Sequence, residues 1–188
     1  DDNTIIIFLG DNGTDRKVFT KNNNVLVKGS KGLTNKYGTN VPLIISWSKL
    51  KKIKNEQTPL VDLIDFYSTF EDLLNVEKKT SNGVSLLPLL LGENFDERKY
   101  ITTYYNPMWG NLYKNRAVYI QNKKYKLYKS GSFYNYQLDP EEMYPLSLKS
   151  LDESIMNLHT EMDSILKKVP DLPEINFNNW QERLRASN

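Results

Sequence analysis

The sequence predicts an α/β chain in two parts: carboxyl-side strands and helices of a larger sheet, then a small antiparallel sheet packed by a terminal helix. Three observations predict it. An apolar run, Ile5-Ile6-Ile7-Phe8-Leu9, stops at once on Gly10-Asp11-Asn12-Gly13. Consecutive β-branched and aromatic residues closed by Gly and Asx read as a strand buried on both faces, the kind found inside a parallel sheet. Leu63, Tyr67, Phe70 and Leu74 recur at helical spacing, widened by Leu60, Phe66 and Leu73, which predicts a helix facing the core. After Gly92 the chain changes to short Tyr-rich runs separated by Asn, Gly and Lys, the signature of antiparallel strands. The boundary is placed at Gly92: residues 1–92 as part of the α/β layer, 93–188 as the smaller subdomain.

The elements follow in order. Thr14 to Asn24 is polar, with Asn22-Asn23-Asn24 as a loop or short excursion, and Val25-Leu26-Val27 offers a brief strand or loop wall. Val41-Pro42-Leu43-Ile44-Ile45-Ser46-Trp47 is a second buried strand, with Pro at its start where a missing N–H is tolerated. Lys49, Lys51, Lys52 and Lys54 form a solvated basic connection to the helix. Asn82 to Gly92 is rich in Leu and reads as packing material. Strands are predicted at Tyr100–Tyr105, Arg116–Ile120 and Tyr125–Lys129, with a turn at Tyr134–Glu142. Ser150-x-x-Glu153 has the form of a capping box. It precedes an apolar stripe of Leu151, Ile155, Leu158, Met162, Ile165, Leu166 and Val169 that Pro170 stops. The tail with Pro173, Phe177 and Trp180 has too little pattern to assign.

Composition narrows the function. With 188 residues the chain holds one domain of ordinary size or a domain with an appendix, and a net charge of +2 argues for neither an acidic tail nor a nucleic-acid binder. There is no Cys, which removes disulfides, thiolate metal sites and a cysteine nucleophile together. No apolar run approaches the ~18 residues of a membrane span, and no charged stretch followed by a short apolar one stands in the sequence, so the chain is expected to be soluble and to carry no targeting signal of its own. The chain starts one short step before a buried strand, so it is expected to be cut from a longer protein. Tyr beside Lys and Arg can stack bases, but no RNP-like run or arginine cluster appears, so nucleic acid is not expected as a partner. His159, the single histidine, sits next to the stripe of the last helix and has no second His for a zinc pair.

The carboxyl end of the first strand is the candidate site. In open α/β sheets the loops leaving those ends form the ligand crevice, and the adjacent oxygens of Asp11 and Asn12 suit a hard cation. A plain hairpin turn at Asn12-Gly13 is the competing reading. An EF-hand does not fit, because Gly13 and Arg16 fall where that loop needs a ligand and its Gly. Gly29-Ser30-Lys31-Gly32 is not a P-loop, since it lacks the Gly-Lys-Ser/Thr order.

Asp11-Asn12-Gly13, then Lys31-Gly32, Thr34, Gly38 and Val41-Pro42, resembles the second half of the type I sulfatases of the alkaline phosphatase superfamily. In that family a strand ending in Asp-(Asn/His)-Gly is followed by Gly-Gly-Lys-Gly, Thr, Gly and a Val-Pro entering another strand. Val61-Asp62-Leu63 through Thr69, Asn82 to Gly92, and Tyr134 to Glu142 with its Asp139-Pro140 also match family segments. The resemblance implies that Asp11 and Asn12 are two of four protein ligands to Ca²⁺ or Mg²⁺, and that Lys31 binds the substrate sulfate. A compact cation between glycines suits an oxyanion that gains charge during ester cleavage.

The resemblance also implies what is missing. The family nucleophile is a formylglycine made from Cys or Ser in Cys/Ser-x-Pro-x-Arg, and no such motif stands in this sequence. No catalytic residue is therefore assigned, and the chain is expected to be inactive without an amino-terminal portion of the same protein. The implied substrate is a sulfate ester, with a sulfated carbohydrate as a candidate, and the implied compartment is secreted, periplasmic or lysosome-like. Asn35 to Pro42 departs from the family's Tyr-Glu-Gly-Gly-x-Arg-x-Pro, losing the acidic residue and the Arg, which bears on specificity. A related phosphohydrolase or phosphonate hydrolase, and a non-catalytic carbohydrate-binding or structural domain, are the alternatives.

Overall fold

The computed structural model describes residues 3–51, 58–77, 82–108 and 111–175. Lys52, Lys54, Phe177 and Trp180 lie outside these residues. The element order is β1 (Ile5–Leu9), β2 (Phe19–Asn22), β3 (Val25–Lys28), α1 (Lys36–Thr39), β4 (Leu43–Trp47), α2 (Ile64–Leu74), α3 (Leu87–Leu90), β5 (Ile101–Tyr105), β6 (Ala117–Gln121), β7 (Tyr125–Tyr128), β8 (Phe133–Asn135) and α4 (Glu153–Leu166). The fold is mixed α/β with several antiparallel sheets. Contacts gather it into two units: described residues up to Leu9 with Pro42–Ile101, and Gly10–Val41 with the described residues from Thr102 onward.

In the first unit β1 and β4 pair antiparallel, Ile5 opposite Trp47 and Leu9 opposite Leu43. This corrects the expectation of a strand inside a parallel sheet. Residues alternate along both strands, and Ile6, Phe8 and Ile44 are each 60–64% exposed. The run looked buried on both sides because its residues are all apolar; among the described residues only one face is covered.

Helix α2 overturns a second expectation. Its apolar stripe points outward, with Leu63, Tyr67, Phe70 and Leu74 exposed, while Asp65, Ser68, Thr69 and Glu71 are buried. The reason is polar lacing. The Asp65 carboxylate accepts from the backbone N–H groups of Asp62 (2.8 Å) and Val84 (2.7 Å) and forms a two-pronged ion pair with Arg98. Thr69 Oγ1 donates to Asp65 O (2.6 Å) and accepts from Leu86 N (2.9 Å). These bonds satisfy the buried Asp65 carboxylate and Thr69 hydroxyl, so the polar face can be the inner one.

The second unit is built on the sheet β5-β6-β7-β8. Tyr119 opposes Tyr128 and Leu127 opposes Phe133 across antiparallel pairs, which bears out the Tyr-rich sheet. β8 overlaps the start of the segment expected to be a turn. Helix α4 lies on β6 and β7, burying Met162 and Leu166 beside Ile120, Leu127 and Phe133, all 2% exposed or less. The helix cap differs from the expected box: Asp152, not Ser150, is the N-cap, its Oδ1 accepting from Ile155 N at 2.9 Å. Ser150 is held in a 3-10 turn instead.

Because Asp65 is 1% exposed and its Arg98 partner nearly as buried, Asp65→Ala should destabilise the first unit by about 3–5 kcal/mol, the cost of stranding a buried charge. Urea unfolding checks this; a loss under about 1 kcal/mol would mean the lacing does not hold α2.

Candidate functional site

Asp11 and Asn12 follow directly on β1, Asp11 exposed and Asn12 half-buried. Gly13 N donates to Gly38 O at 3.0 Å, and Lys31 N donates to Thr14 O at 2.9 Å. Two backbone bonds therefore bring the segment carrying Lys31 alongside the segment carrying Asp11 and Asn12. Gly13 is required by that approach, since a Cβ there would run into Tyr37 O. The Lys31 side chain is exposed.

The loop after Lys31 is clamped from below. Arg16 Nε donates to Lys31 O at 2.9 Å, and Asn115 Nδ2 donates to Gly32 O at 2.8 Å. Gly32 has φ of +79° with Leu112 packed under it, a conformation that favours glycine. Asn35 caps the single turn α1 by accepting from Gly38 N at 3.1 Å, and Lys36 N donates to Pro140 O at 3.1 Å.

The strongest clamp is a lysine no motif pointed to. Lys126, on β7, is 0% exposed. Its Nζ donates to Thr34 O (2.5 Å) and to Glu142 Oε1 (2.7 Å), and it lies 4.6 Å from the Tyr119 ring centre, with Tyr128 and Tyr136 also around it. Tyr128 OH bonds both Thr34 Oγ1 (2.8 Å) and Glu142 Oε2. Glu142 is held with a φ of +59°, a left-handed backbone that its two charged and hydroxyl bonds keep in place. Burial pushes the Lys126 ammonium below the ordinary lysine range, while the Glu142 carboxylate works the other way. Burial, and then Glu142, push the Tyr136 phenol up to about 12 and raise Tyr128 as well. Sequence reasoning missed this cluster because Lys126 sits in a strand where a lysine is ordinarily solvated; the signal was three tyrosines at period-two and cross-strand positions around it.

Among the described residues no group of three or more His, Cys, Asp or Glu side chains could hold a metal ion. Asp11 and Asn12 supply one carboxylate and one amide oxygen, a donor set that fits a hard cation but falls short of the roughly six to eight oxygens that Ca²⁺ takes. A cleft of about 310 Å³ borders the clamped loop, lined by Thr34, Asn35, Asn115, Tyr128, Tyr134 and Glu141 among others.

A family model described as N-sulphoglucosamine sulphohydrolase, C-terminal, matches residues 31–169. No curated protein sequence matches. Among solved structures the chain is similar to a 2-O GAG sulfatase, with a TM-score of 0.62 and 21% identity, covering 98% of this chain and 38% of that one. It is similar also to a protein solved in complex with its substrate D-glucosamine-2-N,6-O-disulfate, with a TM-score of 0.58 and 24% identity over 89% of this chain and 34% of that one. A third similar structure is the PsFucS1 sulfatase from Pseudoalteromonas sp., with a TM-score of 0.57 and 19% identity over 90% of this chain and 39% of that one. The chain thus spans 34–39% of the length of these proteins.

Removing the buried cation should be costly. Lys126→Met strands Glu142 and should destabilise the chain by about 3–5 kcal/mol, and adding Glu142→Gln should restore part of that loss; urea melts of the double-mutant cycle check it, and strict additivity would deny the pairing. The tyrosines predict an alkaline limit. Tyr136 holds its proton to about 12 when folded, whereas an unfolded tyrosine releases it near pH 10. Its contribution is therefore full below about pH 10 and is lost as pH rises through about 12. Stability should fall across that window, and less steeply in Tyr136→Phe; parallel slopes for the two proteins would refute the assignment.

Proposed function

The chain belongs to the family of N-sulphoglucosamine sulphohydrolase carboxyl-terminal portions, and from that premise we propose that it completes the sulfate-ester site of a sulfatase, a sulfuric ester hydrolase. In this reading Lys31 binds the sulfate, Asp11 and Asn12 are part of the ligand set of a divalent metal, Ca²⁺ or Mg²⁺, and the substrate is a sulfated sugar. The observation that carries the reading is the pair of backbone bonds, Gly13 to Gly38 and Lys31 to Thr14, which set the lysine loop alongside the segment carrying Asp11 and Asn12. The substrate named for one similar structure, a doubly sulfated glucosamine, supports a sulfated sugar.

The chemistry follows from charge. In a sulfate ester the bridging and sulfuryl oxygens carry the charge that changes as S–O cleaves. An ammonium held beside them by a clamped loop therefore stabilises the transition state more than the ground state. The backbone of that loop is fixed through Gly32, Thr34 and Lys36, so Lys31 has only its own side-chain torsions to order. A metal bound at Asp11 and Asn12 would supply further positive charge toward the same oxygens. The nucleophile, expected as formylglycine, and the remaining metal ligands would come from an amino-terminal portion of the same protein.

The uncovered apolar faces support that dependence. Ile6, Phe8 and Ile44 on the β1–β4 pair, and Leu63, Tyr67, Phe70 and Leu74 on α2, are all more than 40% exposed. Burying them would contribute on the order of 10 kcal/mol, which is ample reason for the rest of the protein to pack there. Among the described residues no helix is long and apolar enough to cross a membrane; a secreted, periplasmic or lysosomal compartment goes with the sulfatase reading.

In the full-length protein, Lys31→Ala should lower kcat/KM for a small sulfate ester by about 10²–10³ with little change in melting temperature. Lys31→Arg should rescue it only in part, because a planar guanidinium presents its donors differently. Exposed Lys149 is the control, and equal small effects of Lys149→Ala and Lys31→Ala would remove Lys31 from the site. The 188-residue chain by itself should bind Ca²⁺ weakly and self-associate through its apolar faces. Tight stoichiometric Ca²⁺ binding by calorimetry would place the full ligand set within this chain, and a clean monomer by light scattering would argue against the missing partner.

A further inference from the structure

The stretch between the Asp11–Asn12 pair and Lys31 differs from the rest of the chain. Residues 15–31 hold Arg16, Lys17, Lys21, Lys28 and Lys31 against Asp15 alone, a local charge of +4 in a chain whose net charge is only +2. At about 0.15 M salt, charges beyond roughly 8 Å are screened, so an approaching ligand meets this local excess and not the chain average.

The stretch folds as a two-residue hairpin. β2 pairs antiparallel with β3, and the turn residues Asn23 and Asn24 have φ of 45° and 67°, the two left-handed residues that match a hairpin's right-handed twist. Every residue of both strands is exposed except half-buried Val27. The register sets Phe19 opposite Lys28 and Lys21 opposite Leu26. These four share one face, because side chains alternate along a strand; Lys28 Nζ lies 5.9 Å from the Phe19 ring centre. The other face carries Thr20, Asn22, Val25 and Val27 and no charge. The base of the hairpin is tied to the Lys31 segment: Gly29 N donates to Val18 O, Lys31 N to Thr14 O and Arg16 Nε to Lys31 O, each at 2.9 Å.

One face of an exposed hairpin therefore offers two ammonium groups around an aromatic and an aliphatic side chain, starting from the backbone that carries Lys31. The ammoniums match sulfate groups, and the Phe19–Leu26 floor matches the C–H face of a sugar ring. A nucleic acid is served less well, since stacking successive bases needs successive aromatics and this face has only Phe19. Resting on the reading that Lys31 holds the sulfate being cleaved, we infer that the β2–β3 hairpin binds the sulfated polysaccharide chain beyond that residue. Lys21 and Lys28 are its cationic contacts, and Phe19 with Leu26 is its apolar floor.

The test is retention of the full-length protein on immobilised heparin, a sulfated polysaccharide, and on the same polymer after desulfation. Lys21→Gln with Lys28→Gln should lower heparin affinity about tenfold at about 0.15 M salt and reduce the salt dependence of log K by about one to two, as expected when two cations no longer displace counterions. Lys149→Gln with Lys168→Gln removes the same charge elsewhere and should change neither. Phe19→Ala alters no charge and should still weaken binding about threefold, and desulfated polymer should retain no form of the protein. Melting temperatures of all variants should match the parent, since these side chains are exposed. The inference is overturned if the two double variants lose affinity equally, if Phe19→Ala is silent, or if single-stranded RNA is retained as well as heparin and lost in parallel. Retention needs no turnover, so the sulfatase reading fails separately: intact heparin discrimination without ester hydrolysis sinks that reading alone, and hydrolysis with an indifferent hairpin sinks this one alone.

Discussion

A lysine with no exposed surface organises the second unit. Lys126 Nζ meets a backbone carbonyl of the Lys31 loop and the carboxylate of Glu142 at once. Taking an ammonium and a carboxylate out of water costs several kcal/mol per ion, and only good geometry with further hydrogen bonds offsets it. Here the further bonds are supplied by Tyr128 and the rings of Tyr119 and Tyr136. Because the pair is stable only while complete, the loop at Thr34 and the turn at Glu142 have one position relative to β7. The cluster thus ties the backbone of a glycine-containing loop to β7.

The first unit rests on a different balance. Its helix α2 buries hydrogen-bonded polar groups and exposes apolar ones, the reverse of a helix that closes a core by itself. Such an arrangement is stable in a chain whose polar inner face is fully bonded and whose apolar outer face awaits cover. The same holds for the outer face of the β1–β4 pair. Each unit keeps a small apolar core of its own, Leu86, Leu89 and Leu90 in the first and Ile120, Leu127, Phe133, Met162 and Leu166 in the second.

The path from Gly10 to Val41 gathers with the second unit although it follows β1 of the first in sequence. It carries Asp11 and Asn12, the cationic hairpin and Lys31 in succession. Every chemically promising side chain on it is half-buried or exposed, so its order comes from backbone bonds and from the side chains beneath it, not from packing of its own.

Although β2 fell in a stretch read as polar loop and β8 overlapped a segment read as a turn, β1, β4, α2, the Asp-Asn-Gly turn after β1, the Tyr-rich sheet and the stripe that α4 buries were legible in the sequence. Local patterns suffice for these, because period two and period 3.6 are properties of neighbouring residues. Asp11, Asn12 and Lys31 were singled out by short motifs and by the resemblance that those motifs carry. Only the tertiary structure decided the rest. Periodicity in α2 distinguished two faces but could not say which turns inward, since that depends on Asp65 finding Arg98 and the amides of Asp62 and Val84. An unbroken apolar run at β1 could not reveal that its partner is antiparallel and that one face stays open. Nothing in the sequence marked Lys126 as buried, because its burial is permitted by a carboxylate sixteen positions away and by rings brought together across strands. Pairing of distant charges leaves no periodic trace in a sequence, and it is this pairing that fixes the lysine loop.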